Sequence, residues 1–134
     1  MKRYMLDTNM VSYFIKAHPA VVTQVVGTPM PNLCISAITE AELLFGLAKL
    51  PQAKRLHAAV REFLLRVDSL PWDSSVTLQY ANVRAEIKKQ GKALAPLDLL
   101  IASHALSTDA TLVTNDHAFA QVPMLQLEDW TITH

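Results

Sequence analysis

The chain has 134 residues, of which 51% are hydrophobic, and this size suits one domain, residues 1–134, with a substantial buried core. Its 12 basic and 12 acidic residues give no net charge at pH 7, which excludes a protein that binds nucleic acid avidly through charge alone. The single cysteine, Cys34, excludes an internal disulfide and favours a reducing, cytoplasmic compartment; its apolar neighbours predict a buried thiol.

Short apolar runs alternate with segments of helical period along the first half of the chain. In chain order they predict a strand at residues 3–6, helices at 7–16 and 20–26, a strand at 33–36, and helices at 38–47 and 52–67. The stretch 17–39 carries no formal charge, but its prolines and Gly27 would break a membrane-spanning helix. We therefore expect no membrane segment.

The second half of the chain continues this alternation. It predicts a short strand at 69–70, a helix capped by Asp73 or Ser74 and ended by Gly91, a helix opened by Asp98, a strand at 111–114 and an edge strand at 125–127. The helix after Asp98 is apolar nearly all round, which places it near the centre of the molecule. Together these segments predict an α/β fold with a mostly parallel sheet of four to five strands, covered by helices on both faces.

Four acidic residues, Asp7, Glu42, Asp98 and Asp116, lie at strand ends or in the first turns of the helices that follow. In parallel sheets, ligands bind beyond the carboxyl ends of the strands, which is where Asp7 and Asp116 are placed. Carboxylates that converge near a core repel one another and are costly to keep ionised without a cation. The pattern therefore predicts a pocket for a divalent metal ion.

Each of these acids also has a purely structural explanation. Asp7, Asp98 and Asp116 are all suited to capping a helix or shaping a turn. Glu42 suits a solvated helix position, and Glu40 competes with it for any functional role. No single acid is specific evidence, so the prediction rests on their order and context.

Four motifs carry these acids: MLDTN at 5–9, SAITEAEL at 36–43, PLDLLIA at 96–102 and VTND at 113–116. They resemble the PIN domain and, more closely, the VapC toxins of bacterial toxin–antitoxin pairs; the likeness extends to EDW at 128–130. The resemblance implies a three-layer α/β/α PIN-like fold and an endoribonuclease that depends on Mg²⁺, with Mn²⁺ as a substitute. It makes the four acids catalytic residues and metal ligands, and the spacing from Ser36 favours Glu42 over Glu40.

The preference of Mg²⁺ for a few oxygen ligands and several waters suggests a different role for each pair of acids. Asp7 and Asp98 are the expected direct metal ligands. Glu42 and Asp116 bind through water, complete a second metal site or orient the attacking water. The family's polar residues that orient the acids correspond to Thr8, Asn9, Ser36, Thr114 and Asn115.

The same resemblance implies the partners. A cognate antitoxin would cover the site in a hetero-oligomer, the toxin would form a homodimer, and the substrate would be RNA, with cleavage in the anticodon loop of initiator tRNA and arrest of translation. Two alternatives stay open: a PIN-like module that binds RNA or protein without cleavage, and a metal-dependent nuclease of similar fold that acts on DNA. A phosphotransferase-type hydrolase is disfavoured, because its second aspartate is replaced by Asn9.

Several other residues have less specific patterns. All twelve basic residues lie within 2–92, so assigning four acids to a metal leaves eight acids facing twelve bases, enough for a modest phosphate-binding surface. A solvated face is the default for the basic cluster at a helix end, and RNA backbone contact is its alternative; the cluster comprises Lys88, Lys89 and Lys92. We expect a core position for His104, an exposed turn for His117, and packing roles for Trp72 and Trp130.

Overall fold

Five strands and six helices make up residues 2–133, the part of the chain that the computed structural model describes, and the helices follow the first three strands in pairs. In chain order they are β1 (Tyr4–Leu6), α1 (Thr8–Ile15), α2 (Pro19–Val26), β2 (Leu33–Ser36), α3 (Ala37–Lys49), α4 (Lys54–Arg66), β3 (Asp68–Leu70), α5 (Thr77–Lys89), α6 (Pro96–Ser107), β4 (Thr111–Val113) and β5 (Leu127–Glu128). Two short 3₁₀ segments, Met30–Asn32 and His117–Gln121, precede β2 and follow β4.

The strands form one sheet in the order β3-β2-β1-β4-β5, and every neighbouring pair is parallel. The central strand β1 pairs Tyr4 with Leu33 of β2 and Leu6 with Val113 of β4. Because all strands run the same way, their carboxyl ends meet at one edge of the sheet. The predicted parallel α/β fold is confirmed.

Alternate strand residues point into two different apolar layers, as the pleat of a strand requires. On one face, Leu6 and Val113 belong to a core shared with α1, α2, α3 and α4. On the other face, Met5, Cys34 and Leu112 pack against α5 and α6. The sheet is therefore the middle of three layers, and Cys34 is buried as its sequence context predicts.

Helix α6 is the most deeply buried of the helices. Residues 101–105 are all buried, which agrees with a sequence that is apolar on nearly every side. Pro96 begins the helix, where the missing N–H of proline costs no hydrogen bond. At the preceding helix end, Gly91 adopts a φ of 67° and turns the chain away from α5.

Two predictions about local structure are wrong. Neither Asp73 nor Ser74 caps α5: the Asp73 carboxylate instead accepts the Ser75 N–H at 3.0 Å within a turn, and α5 begins later without a side-chain cap. The last strand lies at Leu127–Glu128 rather than 125–127, because pairing with Leu112 and Val113 fixes its register. Within residues 2–133, no helix is long and apolar enough to cross a bilayer.

Candidate active site

Asp7 leaves β1 at the carboxyl edge of the sheet. Its N–H donates to the Val113 carbonyl oxygen at 3.1 Å, which extends the β1–β4 pairing by one bond. Its carboxylate Oδ1 accepts the Met10 N–H at 2.8 Å and so caps α1. Asp7 therefore caps α1 as the sequence suggests. The residue is also only 4% exposed, and capping a helix does not require a carboxylate to be buried this deeply.

Glu42 faces the start of α1 from the second turn of α3. The Thr8 hydroxyl donates to Glu42 Oε1 at 2.7 Å, which links the residue after Asp7 directly to this carboxylate. Glu40 points elsewhere and accepts the Ser69 hydroxyl at 2.7 Å beside β3. The geometry therefore favours Glu42 over Glu40 as the acid associated with Asp7.

Asp98 and Asp116 complete the set from the start of α6 and from the segment that follows β4. Asp98 lies in the first turn of α6 but does not cap it, since Ala95 occupies the cap position. The Asp116 carboxylate accepts the Ala118 N–H at 2.9 Å, while its own N–H donates to the Thr114 hydroxyl oxygen at 3.0 Å. Of the capping roles considered from sequence, Asp7 and Asp116 fill theirs and Asp98 does not.

The four carboxylates influence one another electrostatically. Burial is the largest cause that raises the pKa of Asp7, to about 6; hydrogen bonds from Thr114 and Met10 oppose it, and the charges of Asp98 and Asp116 add to it. The pKa of Asp98 is raised by burial, then by the charges of Asp116 and Glu42. The four carboxylates thus lie near enough to one another for their charges to interact.

No basic side chain compensates this charge within residues 2–133. The ion pairs of that range join Lys2 to Glu128, Arg3 to Asp68 and Arg66 to Glu62, and none includes the four acids. Nor do any three Asp, Glu, His or Cys side chains of this range lie close enough together to hold one metal ion as they stand. The site is thus an unneutralised cluster of oxygen donors, and such donors suit a hard divalent cation.

The polar residues expected to orient the acids behave differently from one another. Thr8 holds Glu42, and Thr114 holds the backbone of Asp116. Asn115 instead donates from Nδ2 to the Tyr13 hydroxyl at 3.0 Å, and Asn9 is exposed. No hydrogen bond recorded among residues 2–133 joins either asparagine side chain to one of the four acids.

Ser36 acts on the site through the helix it caps. Its Oγ accepts the Ile38 N–H at 3.1 Å at the start of α3 and lies 2.8 Å from His104 Nδ1 in α6. The Ser36 hydroxyl and His104 Nδ1 therefore share a buried hydrogen bond, and within the described residues the buried Nε2 of His104 has no partner. Burial lowers the pKa of His104. The predicted core position of His104 is confirmed.

Thr39 is a buried site neighbour that the sequence motifs did not single out. Its hydroxyl lies 3.4 Å from that of Thr8, and it precedes Glu42 by three residues on the same face of α3. The three-residue spacing between Thr39 and Glu42 is the sequence feature that could have identified Thr39. In the structure, Thr8 of α1 is hydrogen-bonded to both Thr39 and Glu42 of α3.

The remaining singled-out residues have the positions expected of them. Trp72 donates from Nε1 to the Leu100 carbonyl oxygen at 2.9 Å, and Trp130 packs against Tyr4 with ring centroids 5.3 Å apart. His117 is exposed in the turn after Asp116. The basic cluster at the end of α5 is also exposed, and it comprises Lys88, Lys89 and Lys92.

The chain is similar in sequence and in structure to known proteins over nearly its whole length. The PIN domain family matches residues 4–125. A tRNA(fMet)-specific endonuclease VapC of Shigella flexneri is 36% identical over 132 residues, which span 98% of this chain and 100% of that protein. DNA-bound VapBC of Salmonella typhimurium superposes with a TM-score of 0.89 at 34% identity, covering 97% of this chain and 99% of that one. VapBC2 of Rickettsia felis, bound to a promoter DNA fragment, gives 0.87 at 35% identity, with coverages of 95% and 98%.

Proposed function

The chain belongs to the VapC family of PIN-domain proteins, and we propose that it is the endoribonuclease toxin of a toxin–antitoxin pair. The observation that carries this proposal is the cluster at the carboxyl edge of the sheet, where Asp7 is buried beside Asp98 and Asp116 and has no basic partner within residues 2–133. A protein gains no stability from such an arrangement, so a role in binding and catalysis explains it better.

The proposed cofactor is Mg²⁺, with Mn²⁺ as a substitute, held by Asp7 and Asp98. All candidate ligands are carboxylate oxygens, the donors that these hard cations prefer. When bound, the cation supplies Lewis acidity toward a phosphoryl oxygen and lowers the pKa of water. The chain's own contribution is to hold the buried Asp7 carboxylate fixed through its bond from the Met10 N–H.

Glu42 and Asp116 are proposed to orient the attacking water or to complete the cation site. Thr8 fixes one oxygen of Glu42, which leaves the other free to accept a proton or a hydrogen bond. Asp116 is fixed in the same way by the Ala118 N–H. The reaction needs no nucleophilic side chain, because water breaks the phosphodiester bond.

The proposed substrate is initiator tRNA, cleaved in the anticodon loop with arrest of translation. The support comes from relatives in Shigella flexneri and Salmonella typhimurium that are named tRNA(fMet)-specific endonucleases and are 36% and 34% identical to this chain. Nothing in the four acids distinguishes RNA from DNA, so the choice of nucleic acid is part of the test.

The proposed partner is a cognate antitoxin, and the proposed compartment is the cytoplasm. The support is that similar solved structures are VapBC toxin–antitoxin complexes. A cavity of about 340 Å³ between α1, α2 and α4 offers an apolar floor that includes Phe14, Val25 and Phe63. We propose that an apolar antitoxin segment packs there, and that exposed apolar side chains such as Leu78 support a homodimer.

The test is to incubate the purified chain with total RNA, with and without Mg²⁺, and to sequence the new ends. Two glutamates of α3 provide a matched pair of variants: Glu42→Gln should abolish the Mg²⁺-dependent cleavage, while Glu40→Gln, which bonds Ser69 away from the cluster, should retain it. Cleavage that persists in excess chelator, or that survives Glu42→Gln, would contradict the proposal. Binding of RNA without new ends would favour the non-cleaving module, and cleavage of DNA alone the DNA-directed nuclease.

A further inference from the structure

A groove between α1, α3 and α4 borders the acid cluster at Glu42. It has a volume of about 200 Å³, and its lining includes Glu42 and Thr8, which donates to the Glu42 carboxylate. Its floor is apolar and is built by side chains of all three helices: Ile15, Leu43, Leu47, Leu56 and Val60. A volume below that of a typical drug-sized pocket suits one unit of a longer ligand rather than a whole small molecule.

Two lysines stand at the rim of this groove. Lys16 follows the end of α1, Lys49 is the last residue of α3, and both are exposed. Among residues 2–133 neither forms an ion pair, and the Lys49 ammonium lies 4.8 Å from the centroid of the Phe45 ring instead. Glu42, already bonded to Thr8, is the one acid among the described residues that line the groove. The groove beyond the catalytic edge is therefore positively charged.

A glycine in the middle of α3 forms part of the same lining. Gly46 lies four residues after Glu42, so it occupies the same face of the helix one turn further on. Glycine is among the least favourable residues in a helix interior. A Cβ added at Gly46 would meet no atom within 4 Å, so no neighbour within the described chain requires a glycine there. The missing side chain at Gly46 leaves space in the groove for a bound ligand.

We propose that this groove is a subsite for the RNA strand next to the scissile phosphate. Lys16 and Lys49 bind backbone phosphates, and the sugar or base of one nucleotide lies on the apolar floor beside Gly46. This inference rests on the proposed ribonuclease function and extends it to a defined path for the substrate.

The charge of the groove favours RNA over a protein segment as its occupant. The apolar cavity between α1, α2 and α4 has its charges neutralised internally, since Arg66 donates to Glu62 at 2.6 Å. The groove beside Glu42 has two ammonium groups that form no ion pair with any described carboxylate, which is what a phosphate backbone requires. Two neighbouring concavities on this side of the molecule therefore suit different ligands.

The first experiment measures RNA affinity against salt. A fluorescent single-stranded RNA is titrated with the Asp7→Asn protein, which prevents cleavage, and then with the same protein carrying Lys16→Ala and Lys49→Ala. We expect the double variant to bind about ten-fold more weakly and to lower the slope of log affinity against log salt by about 1.4, because two phosphate contacts are lost.

The matched control carries Lys88→Ala and Lys89→Ala, which remove the same charge from an exposed helix end outside the groove. This control should change the affinity by less than about two-fold, since the proposed subsite places no phosphate beside these lysines. Equal losses in both pairs, or no loss from Lys16→Ala and Lys49→Ala, would overturn the proposal.

The second experiment fills the groove without removing charge. Gly46→Ala should raise the melting temperature by about 3 °C, because alanine is the better helix residue, and Gly46→Leu should weaken RNA binding further than Gly46→Ala does. The control Ala48→Leu adds the same side chain to an exposed position of α3 that does not line the groove. RNA affinity unchanged by Gly46→Leu would overturn the subsite and leave a protein segment as the occupant.

The two proposals fail separately. If the wild-type protein cleaves RNA with Mg²⁺ but the groove variants bind RNA normally, only the subsite is wrong. If the wild-type protein leaves RNA intact, the ribonuclease function is wrong, and the subsite that rests on it is withdrawn.

Discussion

Leu6 and Asp7 are neighbours in the chain and are almost equally buried, yet their burial has opposite consequences. Leu6 is 0% exposed within the apolar layer of α1 to α4, and Asp7 is 4% exposed where that layer meets the carboxyl edge. Burying an apolar side chain stabilises the fold. Burying a carboxylate raises its pKa and costs free energy whenever it is ionised. The two apolar layers thus stabilise the folded protein, while the ionised carboxylate of Asp7 at the sheet edge destabilises it.

This contrast indicates that the site is maintained for function rather than for stability. The strands end where β1 and β4 bring Asp7 and Asp116 to one edge, and α3 and α6 add Glu42 and Asp98. Substitutions at the edge should therefore affect activity without loss of stability, while substitutions in the layers should do the reverse.

The largest expected effect is that of Asp7→Asn. The amide keeps an oxygen that accepts the Met10 N–H, so α1 stays capped, but the buried charge is removed. RNA cleavage should fall on the order of 10³-fold, while the free energy of unfolding at pH 7 rises by up to about 3 kcal/mol. Cleavage assays measure the loss of activity, and urea titrations measure the gain in stability. Full activity, or a less stable variant, would contradict the account.

The core counterpart is Leu112→Ala in β4. Leu112 is fully buried against α6 and Phe119, so its truncation should cost about 2–5 kcal/mol of stability. Below its melting temperature, the folded fraction should cleave RNA at nearly the wild-type rate. A variant that unfolds normally but has lost catalysis would erase the distinction between layer and edge.

The pH dependence of stability follows from Asp7. Its pKa is about 6 in the folded protein against an ordinary value of 3.8, so between these values the folded state holds a proton that the unfolded state has released. Stability of the metal-free protein should therefore fall as pH rises from about 4 to about 6, by up to about 3 kcal/mol from this group. Urea titrations across that range should show the fall in the wild type and a smaller one in Asp7→Asn; identical profiles would contradict the assignment.

The smallest effect is expected from Thr8→Val, which keeps the shape of the side chain and removes its hydrogen bond to Glu42. The rate of cleavage should fall about ten-fold, as for other residues that orient a catalytic group. Thr23→Val is the control, because Thr23 is exposed on α2 and its hydroxyl donates to the Pro19 carbonyl oxygen, away from the acids. Equal effects from both variants would show that the Thr8 bond has no role in positioning.

The sequence predicts those features that depend on local order and fails where distant contacts decide. Strand β2 is found where its apolar run places it, and the central position of α6 follows from its composition. The acids could be predicted to lie together because parallel strands end at the same edge. The register of β5 could not be predicted from sequence, since pairing with β4 sets it. Asp73 is a residue type that often caps helices, but here its carboxylate accepts a hydrogen bond within a turn before α5.

The sequence also did not predict the hydrogen-bond partners of the polar residues near the site, or the grooves beside it. Asn115 was expected at the acids but donates to Tyr13, which is 102 residues away in the chain. The groove at Gly46 exists only because α1, α3 and α4 pack as they do. Such features depend on how the helices pack together, which periodicity alone does not determine.

The most direct test of the central claim is thermal unfolding of wild-type and Asp7→Asn protein, each with and without Mg²⁺. A cation held by Asp7 and the carboxylates near it binds the folded form alone and stabilises it by mass action, by about 2.7 kcal/mol at a hundred-fold excess over its dissociation constant. The account predicts a clear rise in melting temperature for the wild type and little or none for the variant. Equal shifts in the two proteins, or no shift in the wild type, would contradict it.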